Sequence, residues 1–157
     1  MNATESISTP IGTLIIEANA KGIRRIIFMD KPIKQSGEGS KKARSIAMNA
    51  AHQLTEYFTS KRTSFDLPLD LSGLPPYHLV TLKEVNNIPY GKTASYGEIA
   101  KQTGSPNAAR AVGNANAHNP IPVVIPCHRV IAGNGGLGGY GGRLDRKEFL
   151  LRLEDAF

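Results

Sequence analysis

The chain has 157 residues, with 19 Lys+Arg against 13 Asp+Glu for a formal net charge of +6, and a single cysteine. That length accommodates one domain or two small ones with a real hydrophobic core, and the apolar and charged fractions of 40% and 20% exclude wholesale disorder. No apolar run reaches a membrane span, and the lone Cys127 excludes an internal disulfide and a multi-cysteine zinc site.

The polar start Met1-Asn2-Ala3-Thr4-Glu5-Ser6 has no signal-peptide character. A reducing, cytoplasmic setting is expected from that and from the single thiol. The basic surplus favours a polyanionic partner, of which nucleic acid is the commonest, without establishing one.

Ile7, Leu14-Ile15-Ile16 and residues 23–28 are short apolar or alternating runs, broken at Pro10-Ile11-Gly12 and Ala20-Lys21-Gly22. They predict an antiparallel meander. Residues 31–40 are polar and rich in breakers, which predicts a loop. From Lys41 the period changes: Ala43, Ile46, Ala47, Ala50, Leu54, Tyr57 and Phe58 mark an amphipathic helix ending near Ser60. Phe65, Leu67 and Leu69 alternate as a last short strand, and residues 71–76 read as a linker.

The second half opens with a helical face on Leu79, Val80, Leu82, Val85 and Ile88, stopped by Pro89-Tyr90-Gly91. Ser95-Tyr96-Gly97-Glu98 has the form of a capping box for a short helix to Gln102. Gly104 supplies a left-handed stop, and Ser105-Pro106 an N-cap and N1 proline for a further helix. These two helices form either a DNA-binding helix-turn-helix or an ordinary αα-hairpin. The second is nearly bare of bulk, with Ala108, Ala109, Ala111, Gly113, Ala115 and Ala117 around one long cation, Arg110. Such a helix suits close approach to a minor groove, and equally close packing in a core. Residues 121–126 read as an apolar, proline-broken extended stretch leading to Cys127-His128-Arg129-Val130. A glycine-dense loop spans residues 133–142, and Asp145-Arg146-Lys147-Glu148 reads as a cap for a final helix carrying Phe149, Leu150, Leu151 and Leu153.

The sharpest chemical feature is Cys127 beside His128. A free thiol titrates near ~8.5, and an imidazole can take its proton directly or through a water. Adjacent side chains of an extended segment point apart, so contact between the two requires a turn or a bridging water. A lone cysteine after an apolar run is equally a small core residue. Gly133-Asn134-Gly135-Gly136-Leu137-Gly138 matches a dinucleotide-binding pattern but lacks the βαβ unit that would give it meaning. His52, His78, His118 and His128 lack metal-ligand spacing, so no metal and no cofactor is expected.

Ile125-Pro126-Cys127-His128-Arg129-Val130 resembles the active-site signature of the O6-alkylguanine-DNA alkyltransferases, the methylated-DNA–protein-cysteine methyltransferases. Four further stretches fall in the family's order: residues 88–93 with 95–100, Ala109-Arg110-Ala111-Val112-Gly113, Asn119-Pro120, and Gly139-Tyr140-Gly141-Gly142 with Lys147-Glu148-Phe149-Leu150-Leu151. The resemblance is strong over residues 75–155. In the first half only Thr9-Pro10-Ile11-Gly12 echoes it.

The resemblance implies an α+β protein: a small N-terminal antiparallel sheet with a helix (residues 1–72), of structural or uncertain role, joined to a mostly helical DNA-binding and active-site domain with a helix-turn-helix (residues 73–157). It implies irreversible transfer of an alkyl group from O6-alkylguanine, and from O4-alkylthymine, in duplex DNA to Cys127. His128 would act as base through a water, Glu154 would hold its imidazole, and Tyr96 would protonate the departing base. Ser95, Tyr96, Ala109, Arg110 and Gly113 would meet DNA, with Arg110 filling the stack behind a flipped nucleotide. Pro126, Asn119, Val130, Tyr140 and Gly141 would form the alkyl pocket. A monomer acting without a cofactor or a membrane is implied.

Two departures touch alkyl-size preference and helix packing, but not the reaction. Position 141 is Gly where many relatives carry a small hydroxyl residue, and Pro75-Pro76-Tyr77-His78 replaces the usual Phe-Gln helix opening. A damage sensor without transfer activity is a second reading, opposed by the presence of Cys127. A cysteine hydrolase is a third, and it leaves Arg110 and the small-residue helix without a purpose.

Overall fold

The alternating residues near the N-terminus pair as an antiparallel meander in this computed structural model, which describes residues 2–30, 38–140 and 143–157. Strands β1 (Ala3–Thr9), β2 (Gly12–Ala18) and β3 (Ile23–Met29) lie in the order β1-β2-β3, with Ile7 opposite Leu14 and Ile16 opposite Ile26. The first turn is closed by Thr9, whose hydroxyl donates to the Gly12 carbonyl at 2.6 Å. Helix α1 (Lys41–Phe58) starts at Ser40, whose side chain accepts from the Ala43 N–H. Its apolar stripe of Ala43, Ile46, Ala47, Ala50, Leu54 and Tyr57 is buried and packs on β1 and β2. The loop expected over 31–40 falls largely outside the described residues.

The strand expected on Phe65, Leu67 and Leu69 does not form. One parallel bridge joins Leu69 to Ile23, with Ile23 N–H donating to Pro68 O at 2.8 Å and Asp70 N–H to Ile23 O at 2.9 Å. Pro68 brings no N–H to a ladder, and the Gln53 side chain takes both backbone groups of Asp66 instead, at 2.9 and 3.1 Å. Gly22 permits the close passage, since a Cβ there would sit 2.6 Å from the Pro68 carbonyl.

The chain divides into two units, Met1–Ser72 and Gly73–Phe157. In the second, α2 (Pro76–Asn86) begins inside the stretch read as a linker, with Pro76 at its first position. Strand β4 (Ala94–Ser95) pairs in parallel with β5 (Val130–Ile131), Ala94 opposite Val130. Ser95 then caps α3 (Tyr96–Gln102) through a complete capping box with Glu98. Helices α3 and α4 (Ala109–Ala117) pack on each other and on α2 around buried Leu82, Val85, Ile99, Val112 and Ala115.

Three local expectations are corrected here. Ser105-Pro106 does not cap α4. Ala108 N–H closes a turn onto Ser105 O at 2.9 Å, and the helix starts afterwards. Residues 121–126 are not extended: Val123 takes φ +73° and Ile125 N–H donates back to Ile121 O at 2.9 Å. Pro122 and Pro126 cannot donate to a ladder, so the segment folds on itself. The last helix, α5 (Leu144–Leu153), has Arg143 at its N-cap with no side-chain cap bond. Asp145 lies in its first turn and is held by the Arg143 guanidinium at 2.9 and 3.0 Å.

Candidate active site

The folded-back 121–126 segment ends at a single 3-10 turn, Cys127–Arg129. The turn replaces the expected extended geometry, and no direct hydrogen bond joins the two side chains among the described residues. Asn116 on α4 donates to the Cys127 carbonyl at 3.1 Å, and Asn119 donates to the Ile125 carbonyl at 2.9 Å while its Oδ1 accepts from Ile121 N–H. The backbone around Cys127 is therefore fixed from the C-terminal end of α4.

His128 and Glu154 are buried, and His128 Nε2 stands 2.7 Å from Glu154 Oε2. A carboxylate oxygen accepts, so Nε2 carries the hydrogen and Nδ1 keeps the lone pair in the neutral ring. That Nδ1 is buried without a hydrogen-bond partner among the described residues. The same carboxylate receives a fork from Arg129, Nε to Oε1 at 2.7 Å and Nη2 to Oε2 at 3.0 Å, and the Gly91 N–H at 3.3 Å. Arg129 Nη1 donates to the Ile88 carbonyl at 2.6 Å. Glu154 sits at the C-cap of α5, on the buried stripe continued from Lys147, Leu150 and Leu151.

Lys147 is fully buried, and its ammonium donates to Val130 O at 2.5 Å and Gly139 O at 3.2 Å. Burial brings its pKa down to about 8, with the Cys127 sulfur acting in the opposite sense. Burial raises the Cys127 thiol above its ordinary value, and the Asn119 amide, the Lys147 charge and the Tyr140 hydroxyl favour the thiolate against it. Burial lowers His128, opposed by its bond to Glu154. Tyr140 is pushed well above the usual phenol range by burial and then by the sulfur, so it stays protonated. Burial thus favours the neutral thiol and the neutral imidazole.

An open cleft of about 540 Å³ lies beside this network, lined by Tyr96, Gly97, Ala109, Arg110, Gly113, Ala132, Gly133 and Gly139. Tyr96 forms its wall at the start of α3, and Gly139 N–H donates to its hydroxyl at 3.4 Å. The Lys147 ammonium is 5.9 Å from the Tyr96 ring centre, which links the cleft to the sulfur's surroundings. Arg110 is exposed in the first turn of α4, with no ion pair found for it among the described residues.

Of the residues singled out from the sequence, Cys127, His128, Glu154, Asn119 and Tyr140 converge on one buried cluster. Tyr96, Ala109, Arg110 and Gly113 share the cleft. Ser95 caps α3, Pro126 precedes the 3-10 turn and Val130 is buried in β5 as an acceptor for Lys147; none of the three lines the cleft. Gly141 lies outside the described residues. Sequence reasoning missed Arg129, Lys147 and Asn116. For Lys147 the signal was present: with Leu150, Leu151 and Glu154 it falls at i, i+3, i+4 and i+7, one face of a helix.

Two family models account for nearly the whole chain: the DNA binding domain of 6-O-methylguanine DNA methyltransferase over residues 76–156, and the ribonuclease-like domain of the same enzyme over residues 3–71. The methylated-DNA–protein-cysteine methyltransferase of Mycolicibacterium paratuberculosis is 44% identical over 149 residues, covering 95% of this chain and 90% of that one. The one from Methanosarcina barkeri is 43% identical over 151 residues, covering 95% and 94%. The crystal structure of Mycobacterium tuberculosis O6-methylguanine methyltransferase superposes with a TM-score of 0.84 at 40% identity, over 99% of this chain and 94% of that one. A structure of the same organism's protein in complex with DNA gives 0.82 at 42% identity, over 96% and 91%. These matches place the chain among DNA repair alkyltransferases that act through a cysteine. It belongs to the 6-O-methylguanine DNA methyltransferase family, and its activity is methylated-DNA–protein-cysteine S-methyl transfer.

Proposed function

We propose that Cys127 takes the alkyl group from O6-alkylguanine in duplex DNA, and from O4-alkylthymine, once per molecule. The observation that carries the residue assignment is the 2.7 Å bond between His128 and Glu154 immediately after the cysteine, which leaves one imidazole nitrogen basic. His128 takes the thiol proton through a water. Sulfur attacks the alkyl carbon in line, the S–C bond forms and the C–O bond breaks, and the electron pair leaves with the guanine. Tyr96 donates its proton to the departing base; its oxygen already accepts the Gly139 N–H, which orients the hydroxyl and favours a developing phenolate. Lys147, Asn119 and Tyr140 steady the thiolate as it forms. A thioether has no good leaving group, so the protein acts stoichiometrically.

The target base is inaccessible in the stack and is flipped into the cleft, at a cost of a few kcal/mol that is least for a poorly paired lesion. Arg110 projects from the small-residue face of α4 to occupy the gap. Ala109 and Gly113 allow the helix to come close, and the Ser95-capped start of α3 faces phosphate. Binding is nearly sequence-blind and falls steeply with salt. The residues from Gly73 onward carry DNA and chemistry, those up to Ser72 serve structure, and the protein works as an intracellular monomer. No helix among the described residues is long and apolar enough to cross a membrane.

The test is intact mass after incubation with DNA bearing O6-methylguanine. The expected result is a gain of one CH2 per molecule, mapped to Cys127 and absent from Cys127→Ala. A band shift without mass gain would mean a sensor. Turnover of an ester with indifference to DNA would mean a hydrolase.

A further inference from the structure

Two histidines that the alkyl transfer leaves unused meet on the outside of the helical unit. His78 lies in the first turn of α2 and His118 caps the C-terminal end of α4, with ring centres 5.9 Å apart and planes inclined by 32°. Asn114, one turn earlier on α4, touches both. Its backbone carbonyl is 2.8 Å from His118 Nδ1, and its side-chain nitrogen is 3.5 Å from His78 Nε2.

The hydrogen position on His118 follows from its partner. A carbonyl can only accept, so His118 Nδ1 carries its hydrogen and Nε2 keeps the lone pair. The Asn114 side-chain nitrogen, at 3.5 Å, lies at the outer edge of hydrogen-bond range of His78 Nε2 and does not hold it firmly. An imidazole anchored through one N–H to a backbone carbonyl is the arrangement that orients histidine for metal ligation through the other nitrogen. The spacing is compatible as well. With metal–nitrogen bonds of about 2.0–2.1 Å, the centres of two imidazoles on one ion fall roughly 4.5–6.4 Å apart as the angle at the metal opens.

We propose that His78 and His118 form a two-imidazole site for a late first-row divalent cation, Zn2+, Ni2+ or Cu2+, that clips α2 to the C-terminal end of α4. Imidazole nitrogen selects these ions over Mg2+ and Ca2+, which require oxygen ligands. His118 and Asn114 are exposed and His78 is half-buried, so an ion can enter and water can complete the shell. The residues come from separate helices, which is why no ligand spacing shows in the sequence. The clip bears on α4, whose Asn116 fixes the Cys127 carbonyl. An ion bound only by the folded state raises stability with its concentration.

The experiment uses the untagged chain with Cys127 capped by iodoacetamide, so that the thiol is not a ligand. Ni2+ is titrated by calorimetry, and trace Cu2+ is added while the four histidine ring signals are followed by NMR. The expected result is one Ni2+ per chain, first broadening at His78 and His118, and an unfolding midpoint that climbs with Ni2+. His78→Gln and His118→Asn should each weaken binding by about tenfold or more, roughly 1.4 kcal/mol. Broadening that begins at His52 or His128, or Ni2+ affinity unchanged in both variants, overturns the proposal. The wild-type NMR arm decides the matter even if a variant misfolds.

Discussion

Glu154 holds His128 and Arg129 on one carboxylate, with 2.7 Å from Oε2 to His128 Nε2 and 2.7 Å from Oε1 to Arg129 Nε, all three side chains buried. The arrangement fixes the tautomer of the residue next to Cys127, and it makes the α5 terminus part of the core. Glu154→Gln removes the negative charge but keeps the shape. It leaves the buried Arg129 guanidinium without a counter-charge, and breaking such a pair from one side costs about 3–5 kcal/mol. Arg129→Met removes the cation and leaves the His128 bond in place. The expected outcome is a large fall in the denaturant midpoint for both variants, but slowed Cys127 alkylation by iodoacetamide mainly for Glu154→Gln. Equal rates in the two variants would show that orienting His128 contributes nothing to thiol activation.

How much of this was legible in the sequence varies by element. The meander, α1 and the Ser95–Glu98 capping box came through because each rests on periodicity or a local hydrogen bond that the residues themselves supply. The Phe65–Leu69 strand failed because a non-local side chain, Gln53, competes for the Asp66 backbone. The 121–126 turn was hidden because a β-branched residue, Val123, takes a left-handed φ of +73° that its type disfavours. At the site, motif resemblance picked out Cys127, His128 and Glu154, which the structure brings together. Lys147 and Arg129 fall inside the matching stretches but were given no role, since their charges look solvent-bound until the core encloses them.

His128 makes stability pH-dependent in a definite direction. Burial lowers its folded pKa below the ordinary 6.5. The unfolded chain then binds a proton first, so stability is fully present above 6.5 and falls as the pH drops through that value towards the folded pKa. Unfolding free energy measured between pH 8 and 5 should decline for the native chain and decline less for His128→Asn. An identical slope in the variant would show that another group is responsible.

Lys147 acts in an alkaline window. Its folded pKa of about 8 lies below the ordinary 10.5, so stability rises with pH between those values and is flat below them as far as this group is concerned. Lys147→Met should remove the rise. It should also push the Cys127 thiol pKa further up, because the ammonium favours the thiolate. The thiolate absorbance followed against pH checks the second effect, and a titration unmoved by Lys147→Met would dissociate the lysine from the sulfur.

A variant at Arg110 tests whether recognition is separate from chemistry. The residue is exposed, so Arg110→Ala should change stability by no more than about 0.5 kcal/mol. Its reaction with duplex O6-methylguanine should slow at least tenfold, about 1.4 kcal/mol, while reaction with the free alkylated base stays near the native rate. Comparable losses on both substrates would place Arg110 in the chemical step and not in the stack.

Gly138 and Gly113 face the same tyrosine with opposite consequences. Gly138 has φ +75°, and a Cβ there would lie 2.8 Å from the Tyr96 hydroxyl and 2.9 Å from its ring. Gly138→Ala therefore incurs about 1–2 kcal/mol of left-handed backbone strain and displaces the hydroxyl proposed to protonate the leaving base. Gly113 is helical, and a Cβ there would be 3.9 Å from the Tyr96 ring, ordinary contact. Gly113→Ala should stabilise α4 by roughly 0.5–1 kcal/mol while narrowing the cleft between that helix and Tyr96. The two variants should thus part company. Gly138→Ala should lose transfer to the free base as well as to duplex DNA, with a lowered melting temperature. Gly113→Ala should melt higher, react normally with the free base and lose rate on duplex DNA alone. A Gly138→Ala protein that transfers at the native rate would show that the Tyr96 hydroxyl can be moved without consequence, and its role as proton donor would fall.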